Sequence, residues 1–434
     1  MPPVKANLGI DVQFGASTVG WTSVTSDVRA TTPLQISYGI RGDTPLDRVA
    51  ATGTMEIALD NSRYNSQSAS GAYSPDHANL RSGWAIGDGI RAKFTYSGST
   101  FYKFVGKVDR IRPMGGKYGG QQVEVMSVDW FDEAAKFKIK LLPVQINKRA
   151  DENIATVIGN MSKKPAASAL ATGQDIFPYA MDNSQDERTT AMEEIAKNAQ
   201  SELGYIYIVG DTTSGGVLTF DDRHARPKTT TTSASLSNNM VAMSSAHERP
   251  RIYNRIKAQS HPREVDASAS ILFALQSKPL IGQGASFGLT GQYTDPAQRG
   301  ALRVGGASMV TPASTTDYTM NSASGGGGTD LTANFTVTAS YGGNSVAYTL
   351  TNTGTTDGYI TKLQARGIGI YDKEPIISEK TDTTSINSYG EGLLEFDMPY
   401  QQSALVADDA ANFLLGANKD PATRIDTVEF IGNR

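Results

Sequence analysis

The sequence contains no cysteine and only four histidines in 434 residues. The first absence removes disulfides, thiolate catalysis and sulfur-ligated metal together. The second leaves His77, His224, His247 and His261 as the whole supply of imidazole bases and ligands. Apolar runs of bilayer length are also missing, and the opening MPPVKANLGIDVQFG has no apolar core of signal-peptide length. A soluble chain with no membrane-spanning segment and no Sec-type signal is therefore expected. Nor is one sign of charge in large excess: 40 Lys/Arg stand against 44 Asp/Glu, a net charge of −4. That balance does not describe a nucleic-acid binder. One region departs from it. Between Arg91 and Arg149, 12 Lys/Arg meet 5 Asp/Glu, a local surplus of seven positive charges that leaves −11 for the rest.

What is present is glycine, 43 residues of it, with abundant Ser and Thr and with aromatics spread along almost every segment. Such a composition excludes long disorder and favours turn-rich β structure, and the length predicts two to four domains. The first 130 residues alternate as strands do. Leu34, Ile36, Tyr38 and Ile40 form one series, Met55, Ile57 and Leu59 a second, and Ile90, Ala92, Phe94 and Tyr96 a third. Tyr102, Phe104 and Val108, then Val123 and Val125, follow across glycine-rich turns. Many short strands with polar turns point to a barrel or a sandwich. In KFKIKLL the alternation of Lys136, Lys138 and Lys140 with Phe137, Ile139 and Leu141 predicts one strand with a wet and a dry face.

The period then changes. Ile154, Val157, Ile158 and Met161 are spaced for a helix capped by Asp151. Thr190 and Glu193 form a capping-box pattern ahead of Met192, Ile195, Ala196, Ala199 and Leu203, with Gly204 placed for a left-handed cap. YIYIVGDTTSGGVLTF predicts a hairpin with a polar tip. Strands return from RIYNRIKAQS onward. SASGGGGTD, 322–330, is expected to be a flexible tip, and the alternation of Phe335 to Tyr341 and Val346 to Leu350 about GGN predicts a hairpin. A last helix is expected over about 403–415, with Val406, Ala410, Phe413 and Leu414 on its apolar face, before a final strand RIDTVEFIGNR.

Chemistry-bearing patterns are few. Gly284-Ala285-Ser286-Phe287-Gly288 has the letters of a nucleophile elbow, but strand and turn residues follow where a helix is needed. Asp221, Asp222, Arg223 and His224 crowd the end of a strand, and that grouping fits salt-bridged turn residues better than a metal or acid–base site. HER at 247–249 lacks the second histidine of a zinc-peptidase helix. Glu391 and Glu395 are paired acids whose separation only a fold can give. Trp21 and Trp84 are candidate sugar platforms if exposed. No catalytic, metal-binding or cofactor-binding residue is assigned, and no cofactor is implied.

The stretch WTSVTSDVR, followed by ISYGIRGDTPLDRVAATGTMEIALDN, resembles the opening of a family of minor tail proteins of tailed bacteriophages. Trp21, Val24, Thr25, Arg41, Gly42, Gly53, Thr54, Leu59, Asp60 and Asn61 carry it. In the same order come GAYSPDHANLRSGWAIGDGIRAKFTY, FVGKVDRIRP, VEVMSVDWFDEAAKF, and a hairpin with Phe220 and Arg223 in a Phe-x-x-Arg pattern. YTLTNTGTTDGYITKLQARGIGIYD and YGEGLLEFDMPYQQSALVADDAANFLL complete the series. The resemblance implies a baseplate hub, or tail tip, protein. Its expected fold is mainly β with a small α/β insert, in which tail-tube-like β-barrels and a β-sandwich make a hub-like multi-domain architecture.

On that plan, 1–136 is an N-terminal tube-like barrel, 137–235 the α/β insert and 236–265 connecting strands. Residues 266–370 are the sandwich, and 371–434 the strands and helix that close a second barrel. The implied partners are the chain itself as a homotrimeric ring, distal tail and tail tube proteins, the tape measure protein, and tip or fibre proteins. DNA is expected only in passage through the lumen. Because the sequence stops soon after DTVEFIGNR, a C-terminal peptidase, lysozyme or fibre segment of the kind longer relatives carry is expected to be absent. Two other functions are open to the sequence: a carbohydrate- or receptor-binding adhesin built on 266–370, and a wall-degrading hydrolase using His224 and its neighbouring carboxylates.

Overall fold

Alternating apolar residues build the first sheet. The computed structural model describes residues 7–15, 20–42, 44–115, 121–182, 184, 187–210, 216–225 and 240–430. Its first seven strands are β1 (Asn7–Gln13), β2 (Thr22–Ser23), β3 (Gln35–Ser37), β4 (Thr54–Asp60), β5 (Gly89–Tyr96), β6 (Ser99–Met114) and β7 (Gln122–Val128). They pair antiparallel in the order β2-β1-β5-β6-β7-β4-β3. Ile10, Val12, Met55, Ile57, Leu59, Ile90, Ala92, Phe104, Val108, Val123 and Val125 form the core beneath. The sheet is open, ending at β2 and β3, and among the described residues no sheet closes into the expected barrel. The strand expected over Leu34–Ile40 is also shorter than its alternation predicts. Leu34 and Ile36 pack on this core, whereas Ile40 packs on the next one, so the strand is cut to three residues.

The connection between β4 and β5 is held from below by Asp27, which is buried. Its carboxylate accepts Ser66 N at 2.8 Å, Ser66 Oγ at 2.6 Å and the Tyr73 hydroxyl. Burial alone would raise the Asp27 pKa, but these hydrogen bonds outweigh it and hold the group below the usual carboxylate range.

After β7 comes α1 (Trp130–Lys136), whose N-cap Asp129 accepts Phe131 N at 3.0 Å and Gly53 N at 2.8 Å. KFKIKLL is therefore not one strand. Lys136 ends α1, Lys138 makes an isolated bridge to Thr190, and Ile139 is buried in the second core. Helix propensity in WFDEAAK and the Asp129 cap prevail over the two-residue alternation.

The α/β part holds β8 (Gln145–Arg149), α2 (Ala150–Asn160), β9 (Ala167–Leu170), β10 (Ile176–Ala180), α3 (Ala191–Glu202), β11 (Tyr205–Val209) and β12 (Val217–Asp221). β11 and β12 form the expected hairpin, with its tip at 211–215 outside the described residues. The cap of α2 is Arg149, not Asp151. Glu152 accepts the Arg149 amide at 3.0 Å, while Asp151 accepts Gly173 N at 2.9 Å. The Thr190–Glu193 capping box forms, at 3.1 and 2.7 Å. The left-handed cap falls on Leu203 (φ 54°) instead of Gly204, where a side chain would strike the Phe220 ring and the Asp221 carbonyl.

Next come β13 (Met240–Ala246) and β14 (Arg255–Ser260), and then the sandwich. Its strands are β15 (Arg263–Val265), β16 (Ser270–Ala274), β17 (Leu280–Ile281), β18 (Ser286–Gln292), β19 (Arg303–Ala307), β20 (Tyr318–Asn321), β21 (Phe335–Tyr341), β22 (Ser345–Asn352) and β23 (Gly358–Asp372). β23 is the spine of one sheet, pairing with β15, β16, β17, β19 and β20; β18-β22-β21 is the other. Leu272, Met320, Phe335, Val346, Tyr348, Leu350 and Ile360 fill the space between. The expected flexible tip at 322–330 is clasped instead. Asn321 Oδ1 accepts Ala323 N and Gly328 N, both at 2.9 Å.

The C-terminal part contains β24 (Ile376–Thr381), α4 (Thr383–Tyr389), β25 (Leu393–Met398), α5 (Ala404–Asn418) and β26 (Arg424–Phe430). β14 lies between β24 and β25 in a sheet of three strands, again open. α5 covers it with Ala407, Ala410, Ala411, Leu414 and Leu415. The helix runs through Gly416 to Asn418, and Phe413, expected on the apolar face, is 49% exposed. β13 and β26 pair with each other as a two-stranded ribbon. By residue, the structure is 43% strand and 16% helix, a mainly β protein.

Candidate functional site

The groups singled out in the sequence are each spent on structure. Ser286 lies on β18 with its hydroxyl 2.9 Å from Thr351 Oγ1, in regular strand and not on an elbow. Asp221 accepts the Tyr207 hydroxyl at 2.7 Å, Asp222 accepts Gln174 Nε2 at 2.6 Å and its neighbour His224 N at 2.7 Å. Arg223 is forked onto Asp175, at 2.5 and 3.1 Å. Behind it, buried Glu202 is pushed up to about 7 by loss of water, with the Gln174 amide and the Arg223 charge only partly offsetting that. The His224 ring borders a hollow shared with Leu203, Arg223, Val406, Asp409 and Phe413.

Glu391 and Glu395 do not face each other as an acid pair. The first holds Arg255 Nη1 at 2.8 Å and the second Gln259 Nε2 at 2.7 Å. His247 meets Thr423 Oγ1 at 2.8 Å, and His77 accepts Asn79 N at 3.1 Å. Trp84 is 3% exposed and donates to the Tyr73 carbonyl at 3.0 Å, so it is core and not a platform. Trp21 is half-buried beneath the Arg91 guanidinium, 4.3 Å from its ring centre.

Among the described residues, an ionic cluster around Arg263 was invisible in the sequence because its members lie far apart along the chain. Arg263, fully buried, donates Nε to Asp182 at 2.7 Å and Nη1 to Asp372 at 2.7 Å. Its remaining N–H groups reach the His261 carbonyl at 2.8 Å and the Pro399 carbonyl at 3.0 Å. Asp372 also receives Arg303 Nε at 2.8 Å. His261 Nε2 lies 2.5 Å from Asp397, and its Nδ1 stands 3.5 Å from Asp372 without forming a hydrogen bond. Burial works against the imidazolium, but the two carboxylates prevail and raise His261 to about 9. Tyr400, fully buried, gives its hydroxyl to Glu194 and its amide to Ser201 Oγ at 2.9 Å. Glu194 is raised by complete burial, only partly opposed by Lys197 and Tyr400.

Perturbed acids in a cluster are the usual mark of an active site. Here the Glu194, Tyr400 and Arg263 side chains are sealed from solvent and bonded within the protein, Tyr400 to Glu194, Glu194 to Lys197, and Arg263 to Asp182 and Asp372. The cluster is a polar seam that locks the α/β part, the sandwich and the C-terminal part together.

The surfaces left unsatisfied are of another kind. In the ribbon, Met243 faces Val428, Ser245 faces Ile425, and Val241 precedes Met243 by two positions. Val241, Met243 and Ile425 are 64%, 54% and 57% exposed. The opposite side carries Ala242, Ser244, Thr427 and Glu429. Both sides of the ribbon are open to water, and Val241, Met243 and Ile425 are its exposed large apolar residues. Along the edge strand β24, Ile376 and Ile377 are also exposed.

No known protein family matches the sequence, and no curated protein does. Among solved structures the chain is similar to the 43 kDa tail protein of prophage MuSo2 from Shewanella oneidensis, with 12% identity and a TM-score of 0.37 over 58% of this chain and 66% of that one. It is similar to a tail protein of Neisseria meningitidis MC58, with 10% identity and a TM-score of 0.35 over 58% and 64%. It is also similar to a chain of the Francisella PdpA–VgrG complex, with 10% identity and a TM-score of 0.36 over 81% and 53%. The match spans just under two thirds of the length of the two tail proteins.

Proposed function

We propose that this chain is a structural subunit of a phage tail and, more finely, a baseplate hub at the tail tip. In this reading it associates as a homotrimeric ring and joins the tail tube and distal tail ring to the tip. Its lumen takes the tape measure protein and, transiently, DNA, and tip or fibre proteins attach beyond it. The place of action is the distal end of the virion's tail, with assembly in the host cytoplasm. The units 1–136, 137–235, 236–265, 266–370 and 371–434 belong to the same proposal, and limited proteolysis at their junctions tests them.

The observation that carries the reading is the β13–β26 ribbon. A lone two-stranded ribbon is at best marginal in water, and this one leaves Val241, Met243 and Ile425 exposed. A protein so made is completed by neighbours, as a ring subunit is. The ordered resemblance of the sequence to hub proteins supports a hub ring as the form that completion takes. Mass photometry of the purified chain is expected to show a species of three times 46.3 kDa. A single monomer peak at every concentration, with and without a distal tail protein, would contradict the trimer.

A further inference from the structure

We draw no further inference here: the strongest candidate, the cleft of about 260 Å³ between the first sheet and the α/β part that Trp21, Trp130, Lys107, Lys163 and Lys164 line, carries nothing, because Lys107 and Lys163 are both spent on Glu133, the Trp130 indole N–H on the Lys163 carbonyl and the Trp21 ring on Arg91, so that nothing among the described residues selects a ligand for it.

Discussion

At the scale of residues, the seam around Arg263 and Tyr400 is where single substitutions cost most. Tyr400→Phe removes the hydroxyl that satisfies buried Glu194 and is expected to cost about 1–3 kcal/mol, read by urea unfolding. His261 gives the seam a pH dependence. Its pKa in the fold, about 9, lies above the ordinary 6.5, so the stabilisation it adds is full below about pH 6.5 and fades as pH rises through 9. Denaturant midpoints from pH 6 to 10 should fall in the native chain and fall less in His261→Asn. Equal slopes would show that His261 is not the group responsible. None of this was legible in the sequence. Asp182, Arg263, Asp372 and Tyr400 are ordinary letters there, and only the folding of distant strands onto α3 makes them partners.

At the scale of elements, the sequence spoke clearly where one local pattern decided the outcome. Thr190 and Glu193 formed their box, and Thr190→Ala is expected to cost about 1 kcal/mol by thermal or denaturant melting. The hairpins about 210 and 343 and the strands β4, β5 and β7 follow from alternation alone. Expectations failed where a second partner overrode the pattern. Leu34–Ile40 is divided between two cores, KFKIKLL is claimed in part by the Asp129 cap, and Gly204 is needed for space and not for its φ. Gly204→Ala should therefore destabilise by well over the ~1 kcal/mol of a helix-propensity change, because Phe220 and the Asp221 carbonyl must move. Differential scanning calorimetry measures it.

The ribbon was only half legible. RIDTVEFIGNR reads as a strand in the sequence, but its pairing with β13, some 180 residues earlier, is a property of the fold. Met243→Asp with Ile425→Asp places charge on its exposed apolar residues, and is expected to leave the monomer's melting temperature nearly unchanged while abolishing higher assemblies in mass photometry. Persisting assemblies would mean that another surface joins the subunits.

At the scale of the whole molecule, the described residues form six sheets, none closed, and a two-stranded ribbon, and a polar seam ties the α/β, sandwich and C-terminal parts together. The measurement that bears most directly on the hub reading is negative-stain electron microscopy of the purified protein, alone and co-expressed with a distal tail protein. The account predicts rings with threefold symmetry and an open centre. Monomers under both conditions would contradict it.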